Sequence, residues 1–98
     1  MKAFGYEIPA KVEAAILDRM RTATFLPVNI ETELQRLLPA DARPCAGRAH
    51  RRASRPDICR QASERLIKRE RQAGSIEVIA RLGRTPIFKW SGPGGEAQ

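Results

Sequence analysis

The chain has 98 residues, is 42% hydrophobic and carries a net charge of +7, which suffices for one compact domain with a small core but not for two. No apolar run approaches the roughly eighteen residues of a membrane span, and the single Lys ahead of Ala3-Phe4-Gly5-Tyr6 does not form a secretion signal. A cytoplasmic protein with no membrane partner is therefore expected, with Cys45 and Cys59 as thiols.

The first predicted element is a helix over 8–24. Pro9 suits its first turn, where a missing N–H costs nothing. Val12, Ala15, Ile16 and Met20 recur at helical spacing, and Phe25-Leu26-Pro27 ends the run because the residue before a proline is driven out of the α region. A short second helix follows. Asn29 reads as its N-cap, Glu31 and Glu33 as first-turn acids favoured by the helix dipole, and Ile30, Leu34, Leu37 and Leu38 as its apolar side, with Pro39 as the stop.

Residues 39–55 combine two prolines, a glycine and five arginines with almost no large apolar side chain. They read as a basic loop, with room for a helical turn near Ala46–Ala53, that can stay mobile until a partner neutralises it. The third helix is predicted over about 56–73, with Ser54 as N-cap, Pro56 and Asp57 in the first turn and Gly74 closing it. Its apolar face is Ile58, Cys59, Ala62, Leu66 and Ala73. Its outer face carries Arg60, Gln61, Glu64, Lys68 and Arg71, flanked by Arg65 and Gln72. The period then changes from 3.6 to 2, with Ile76, Val78 and Ala80 alternating against Glu77, Ile79 and Arg81. A turn over Leu82-Gly83-Arg84-Thr85-Pro86 leads to Ile87-Phe88-Lys89-Trp90, which together predicts a β-hairpin with a basic tip. The expected organisation is a single domain over 1–90 and a flexible Gly-rich tail over 91–98.

The charge is not spread evenly. Residues 1–42 carry a net −1, residues 43–74 a net +7 and residues 75–98 a net +1. Nine of the ten bases between Arg43 and Arg71 are arginine, whose planar fork binds phosphate and guanine bidentately. A polyanionic partner accounts for such clustering better than solubility does, since solubility is served by dispersed charge. The plainer alternative is a solvated helix face with internal pairs such as Glu64–Lys68.

The stretch Arg65-Leu66-Ile67-Lys68-Arg69-Glu70-Arg71-Gln72-Ala73-Gly74-Ser75-Ile76-Glu77-Val78-Ile79, followed by Gly83-Arg84-Thr85-Pro86-Ile87-Phe88, resembles the winged helix-turn-helix family over roughly residues 9–90. In that family a recognition helix ends at a glycine and the chain enters a wing hairpin. The resemblance implies an α+β, mainly helical fold, with three helices followed by a two-stranded β-hairpin wing. It implies sequence-specific binding of double-stranded DNA by a homodimeric transcription regulator of bacterial or phage type. The recognition helix would lie in the major groove with Arg60, Gln61, Glu64, Arg65, Lys68 and Arg71 toward bases and phosphates. Arg81 and Arg84 would sit on the backbone or in a minor groove. Arg48, Arg51, Arg52 and Arg55 would anchor flanking phosphates. One departure stands out: the family joins its second and third helices by a short turn. Here either the basic loop is an elaboration or the second helix is not the partner of the third.

Other functions have weaker support. An RNA- or ribosome-associated protein using the Arg-rich loop is one alternative, and a winged-helix adaptor for an acidic protein is another. Cys45, His50 and Cys59 lack the paired spacing of a zinc site. His50 stands in no recognisable catalytic motif and no glycine-rich phosphate loop precedes a helix, so neither an enzyme nor a cofactor is expected.

Overall fold

The computed structural model describes residues 1–44 and 53–92. Cys45, Arg48, His50, Arg51 and Arg52 of the basic loop, and the tail from 93 on, lie outside the described residues.

Three helices, α1 (Ala10–Thr22), α2 (Pro27–Leu37) and α3 (Arg55–Gln72), precede an antiparallel hairpin of β3 (Ile76–Leu82) and β4 (Thr85–Trp90). This is the α+β order expected from the sequence. Two short strands, β1 (Lys2–Ala3) and β2 (Tyr6–Glu7), come before the helices and were not expected. Their connection is the pair Phe4-Gly5, with φ of 50° and 77°. A two-residue hairpin loop with both central residues at positive φ matches the right-handed twist of its strands, but it forces Phe4 into a region that side chains disfavour. Gln61 of α3 holds this turn by accepting the Phe4 N–H at 2.9 Å.

Helix α1 stops at Thr22, two residues short of its expected end, because Ala23 is already extended. Phe25, expected only as part of a helix stop, forms a strand bridge. Its N–H donates to the Phe88 carbonyl at 3.0 Å, the Phe88 N–H returns a bond at 2.8 Å, and the two rings stack with centroids 5.5 Å apart. Phe25 therefore flanks β4 on the edge away from β3. Both rings are buried, each contributing about 1.5–3 kcal/mol by removal from water.

Helix α2 starts earlier than expected. Leu26 is its N-cap and Pro27 its first residue. Asn29, expected as the cap, lies one turn in and reaches back, its Oδ1 accepting the Leu26 N–H at 2.8 Å. Glu31 and Glu33 consequently fall outside the first turn, and Glu33 pairs with Arg36 at 2.8 Å. Ile30, Leu34 and Leu38 are buried as expected.

Helix α3 begins where Ser54 caps it and ends in a Schellman arrangement. The Ser75 N–H bonds the Glu70 carbonyl, the Gly74 N–H bonds the Arg71 carbonyl, and Gly74 adopts φ 81°. Its buried face is Ile58, Cys59, Ala62, Ser63, Leu66 and Ile67. Ala73, expected on that face, is exposed and serves as the C-cap beyond the last helical residue. α2 and α3 form the most extensive helix–helix contact, reinforced where Ser63 Oγ donates to the Pro27 carbonyl at 3.2 Å. The second helix is thus the packing partner of the third despite the long connection.

The hairpin departs from simple alternation. Val78 stands opposite Phe88, yet Ala80 stands opposite Ile87, so Ile79 is an extra residue that bulges out. The connection is only Gly83-Arg84, with Gly83 at φ 65°, and Thr85 and Pro86 belong to β4. Since one residue of slip exchanges the two faces of a strand, the bulge reverses the outlook of everything from Ala80 to the tip. Among the described residues no helix is long and apolar enough to cross a membrane.

Candidate nucleic-acid interface

The basic residues separate into those engaged in holding the fold together and those left open. Arg55, the first residue of α3, turns back to the end of α2. Its guanidinium donates to the carbonyls of Gln35 and Leu38 at 2.6 Å each and of Pro39 at 3.0 Å. The Gln35 and Leu38 carbonyls lie at the end of α2, where a helix leaves carbonyls without intrahelical partners, and the Pro39 carbonyl also accepts the Ala42 N–H, so Arg55, expected as a phosphate anchor, caps the end of α2.

Along one flank of α3, three residues a turn apart face the N-terminal hairpin and α1. Gln61 accepts from Phe4, Arg65 Nη1 donates to the Lys2 carbonyl, and Arg69 pairs with Glu13 of α1 and with Glu70. The Glu13 hydrogen bond, ahead of the Glu70 one, raises the Arg69 pKa against the opposing effect of burial. Gln61 and Arg65, expected as base or phosphate contacts, bond to the backbone of the N-terminal hairpin. Nothing in their own sequence neighbourhood signals this, because the partner segment is too short to show a period.

The other flank carries Arg60, Glu64, Lys68 and Arg71. Arg60 is tied to Asp57, Nη2 to Oδ1, at 2.8 Å. Asp57 also receives the Ser54 hydroxyl at 2.9 Å and the Ser54 N–H at 2.8 Å. The hydroxyl bond first, then the amide and Arg60, hold its carboxyl below the ordinary range against a smaller effect of burial. The Glu64–Lys68 pair of the plainer, solvated-face alternative is not among the ion pairs of the described residues.

Between this flank and β4 lies an open cleft of about 600 Å³. Pro27, Ile67, Pro86 and Phe88 make its floor, with Glu64, Lys68, Arg71 and Gln72 at the rim. The Arg71 guanidinium lies 5.9 Å from the Phe88 ring centroid. Arg81 joins the same side. It pairs with Pro86, and directly opposed residues of an antiparallel ladder share a face. Unbroken alternation from Val78 would put Arg81 on the other face, and the extra residue Ile79 is what brings it to this one. The run Val78-Ile79-Ala80 carries the missed signal, since consecutive apolar residues interrupt the alternation. Arg84 occupies the tip. Among the described residues the side chains of Lys68, Arg81 and Arg84 form no hydrogen bond or ion pair with the protein, and the Phe88 ring is the one partner of the Arg71 guanidinium.

The remaining candidates offer no chemistry of this kind. Cys59 is a buried free thiol whose pKa is pushed up by desolvation, which disfavours the reactive thiolate. Cys45 and His50, its companions in a metal reading, lie outside the described residues. The arrangement as a whole is a cationic rim over an apolar floor, suited to an extended anion whose charges are spaced along an apolar frame. No family model, no curated protein and no solved structure matches the chain.

Proposed function

We propose that this chain is a winged-helix domain that binds double-stranded DNA in the cytoplasm as a transcription regulator. α3 lies in the major groove by its Arg60–Arg71 flank, and the β3–β4 hairpin is the wing, with Arg81 and Arg84 against the sugar-phosphate backbone. One observation carries the reading. Among the described residues Lys68, Arg71, Arg81 and Arg84 are free of ion pairs; the first three lie along one helix-and-hairpin surface with Arg84 at the hairpin tip, while Arg55, Arg65 and Arg69 are engaged elsewhere. Charge left unneutralised on one face is what a polyanion requires, and a protruding helix beside a hairpin fits a groove with its flanking backbone. Two copies on a two-fold site would supply the area that one small domain lacks.

Duplex binding as a function of salt tests this. Each neutralised phosphate contributes about 0.9 to the slope of log affinity against log salt. The combined Lys68→Ala, Arg71→Ala, Arg81→Ala and Arg84→Ala variant is expected to lose most of that slope. A wild-type slope near zero overturns the reading, and preference for structured RNA over duplex in direct competition replaces it with an RNA-binding one.

A further inference from the structure

Helix α3 carries three carboxylates, and two of them are engaged. Asp57 is bonded to Ser54 and Arg60, and Glu70 to Arg69. Glu64 is different. It is exposed at the rim of the α3–hairpin cleft, one helical turn from Arg60 on one side and Lys68 on the other. It forms no ion pair with either of them among the described residues. It is the one negative charge at that rim, next to Lys68 and Arg71.

A phosphate repels such a group, so a surface meant only for backbone contact gains nothing from it. The edges of bases are another matter. In the major groove the hydrogen-bond donors are the exocyclic amines of cytosine and adenine. Adenine sets its N7 lone pair beside N6, which faces a carboxylate with a second acceptor. Cytosine presents N4 next to a carbon-bound hydrogen and has no such conflict. The guanine paired with that cytosine offers O6 and N7, which suit a cation one turn away on the same flank.

We propose that Glu64 is the specificity-determining residue of this surface, its carboxylate accepting a hydrogen bond from cytosine N4 in the major groove. The inference rests on the duplex-binding reading above and assigns to one side chain the selection of one base.

The test is selection of bound sequences from a random duplex pool by the wild type, Glu64→Gln and Glu64→Ala, with thermal melts confirming that all three fold. The wild type is expected to enrich cytosine at one position, with about a tenfold preference over other bases there. In Glu64→Ala that position becomes indifferent, other preferences persist, and affinity for unselected duplex rises because a repulsive charge is gone. In Glu64→Gln the preference moves to adenine, whose N6 and N7 an amide reads bidentately. A Glu64→Ala profile identical to wild type at every position overturns the inference while duplex binding stands. So does a wild type that binds duplex with a steep salt slope but no base preference. A wild type that does not bind duplex at all overturns the reading and the inference together.

Discussion

Arg81 stands directly across the hairpin from Pro86, on the side of the sheet that closes over α3, and it does so because Ile79 is an extra residue in β3. Lys89 provides the internal control. It pairs with Glu77 and lies on the opposite face. Arg81→Ala and Lys89→Ala remove the same charge from the same hairpin. The first is expected to lower the salt slope of duplex binding by about 0.9 and the second to leave it within error. Equal slopes for the two variants would show that overall charge, and not the bulge, governs binding.

Arg55 leads to the opposite expectation. Its guanidinium closes the end of α2 and fixes the start of α3 against it. Arg55→Ala leaves carbonyls of the last turn without a donor and is expected to destabilise the fold by about 1–3 kcal/mol. The salt slope of binding should not change once the variant is assayed below its melting temperature. A lowered slope with unchanged stability would return Arg55 to the phosphate surface.

The element order and most of the core were legible because they follow from period and from caps. Ser54, Asp57 and Gly74 mark α3 with residue types whose chemistry is local, so its ends are readable within a few positions of themselves. What escaped depended on partners distant in sequence. Phe25 is a strand residue because Phe88 lies beside it, and the Phe4-Gly5 turn is held by an acceptor that Gln61 brings from α3. At the candidate surface the residue types were visible, but their allocation was not. Whether an arginine is open or engaged depends on which carbonyl or carboxylate the fold brings to it, as Arg55 and Arg65 show against Arg81.

Asp57 ties the stability of α3 to pH. A carboxyl pKa lowered in the folded state means that folding favours the ionised form. The resulting stabilisation is complete above the range of an unfolded Asp and is lost as pH falls through the lowered folded value. The melting temperature of wild type should therefore exceed that of Asp57→Ala by a constant margin above roughly pH 5, and the margin should close as pH drops below the ordinary carboxylate range. Melting curves of both proteins across that range check it, and a margin independent of pH would mean that Ser54 alone caps the helix.

Gln61 is expected to matter for the N-terminal hairpin rather than for binding. Gln61→Ala leaves the Phe4 N–H without this acceptor at a residue already held at positive φ. Hydrogen exchange should speed up at β1 and β2 while α2, α3 and the β3–β4 hairpin keep their protection. Uniformly faster exchange would show instead that the hairpin and the core unfold as one unit.

Gly92 and Gly74 are required for different reasons, and substitution separates them. At the base of the hairpin Gly92 passes so close to Ser75 that an added Cβ would sit 2.4 Å from Ser75 Cα, beside the bond from the Ser91 N–H to the Ser75 carbonyl at 2.9 Å. Backbone cannot yield as a side chain does, so Gly92→Ala is expected to cost about 1–3 kcal/mol through forced separation of the strands. Gly74 has open space around its Cβ position but a φ of 81°. Gly74→Ala should cost about 1–2 kcal/mol from conformation alone, and Gly74→Asn should recover part of it, since Asn tolerates the left-handed region. Asn at position 92 should be no better than Ala, because a larger side chain does nothing for a backbone collision. Thermal melts of the four variants decide the matter: recovery by Asn at 92, or none at 74, would reverse the two assignments.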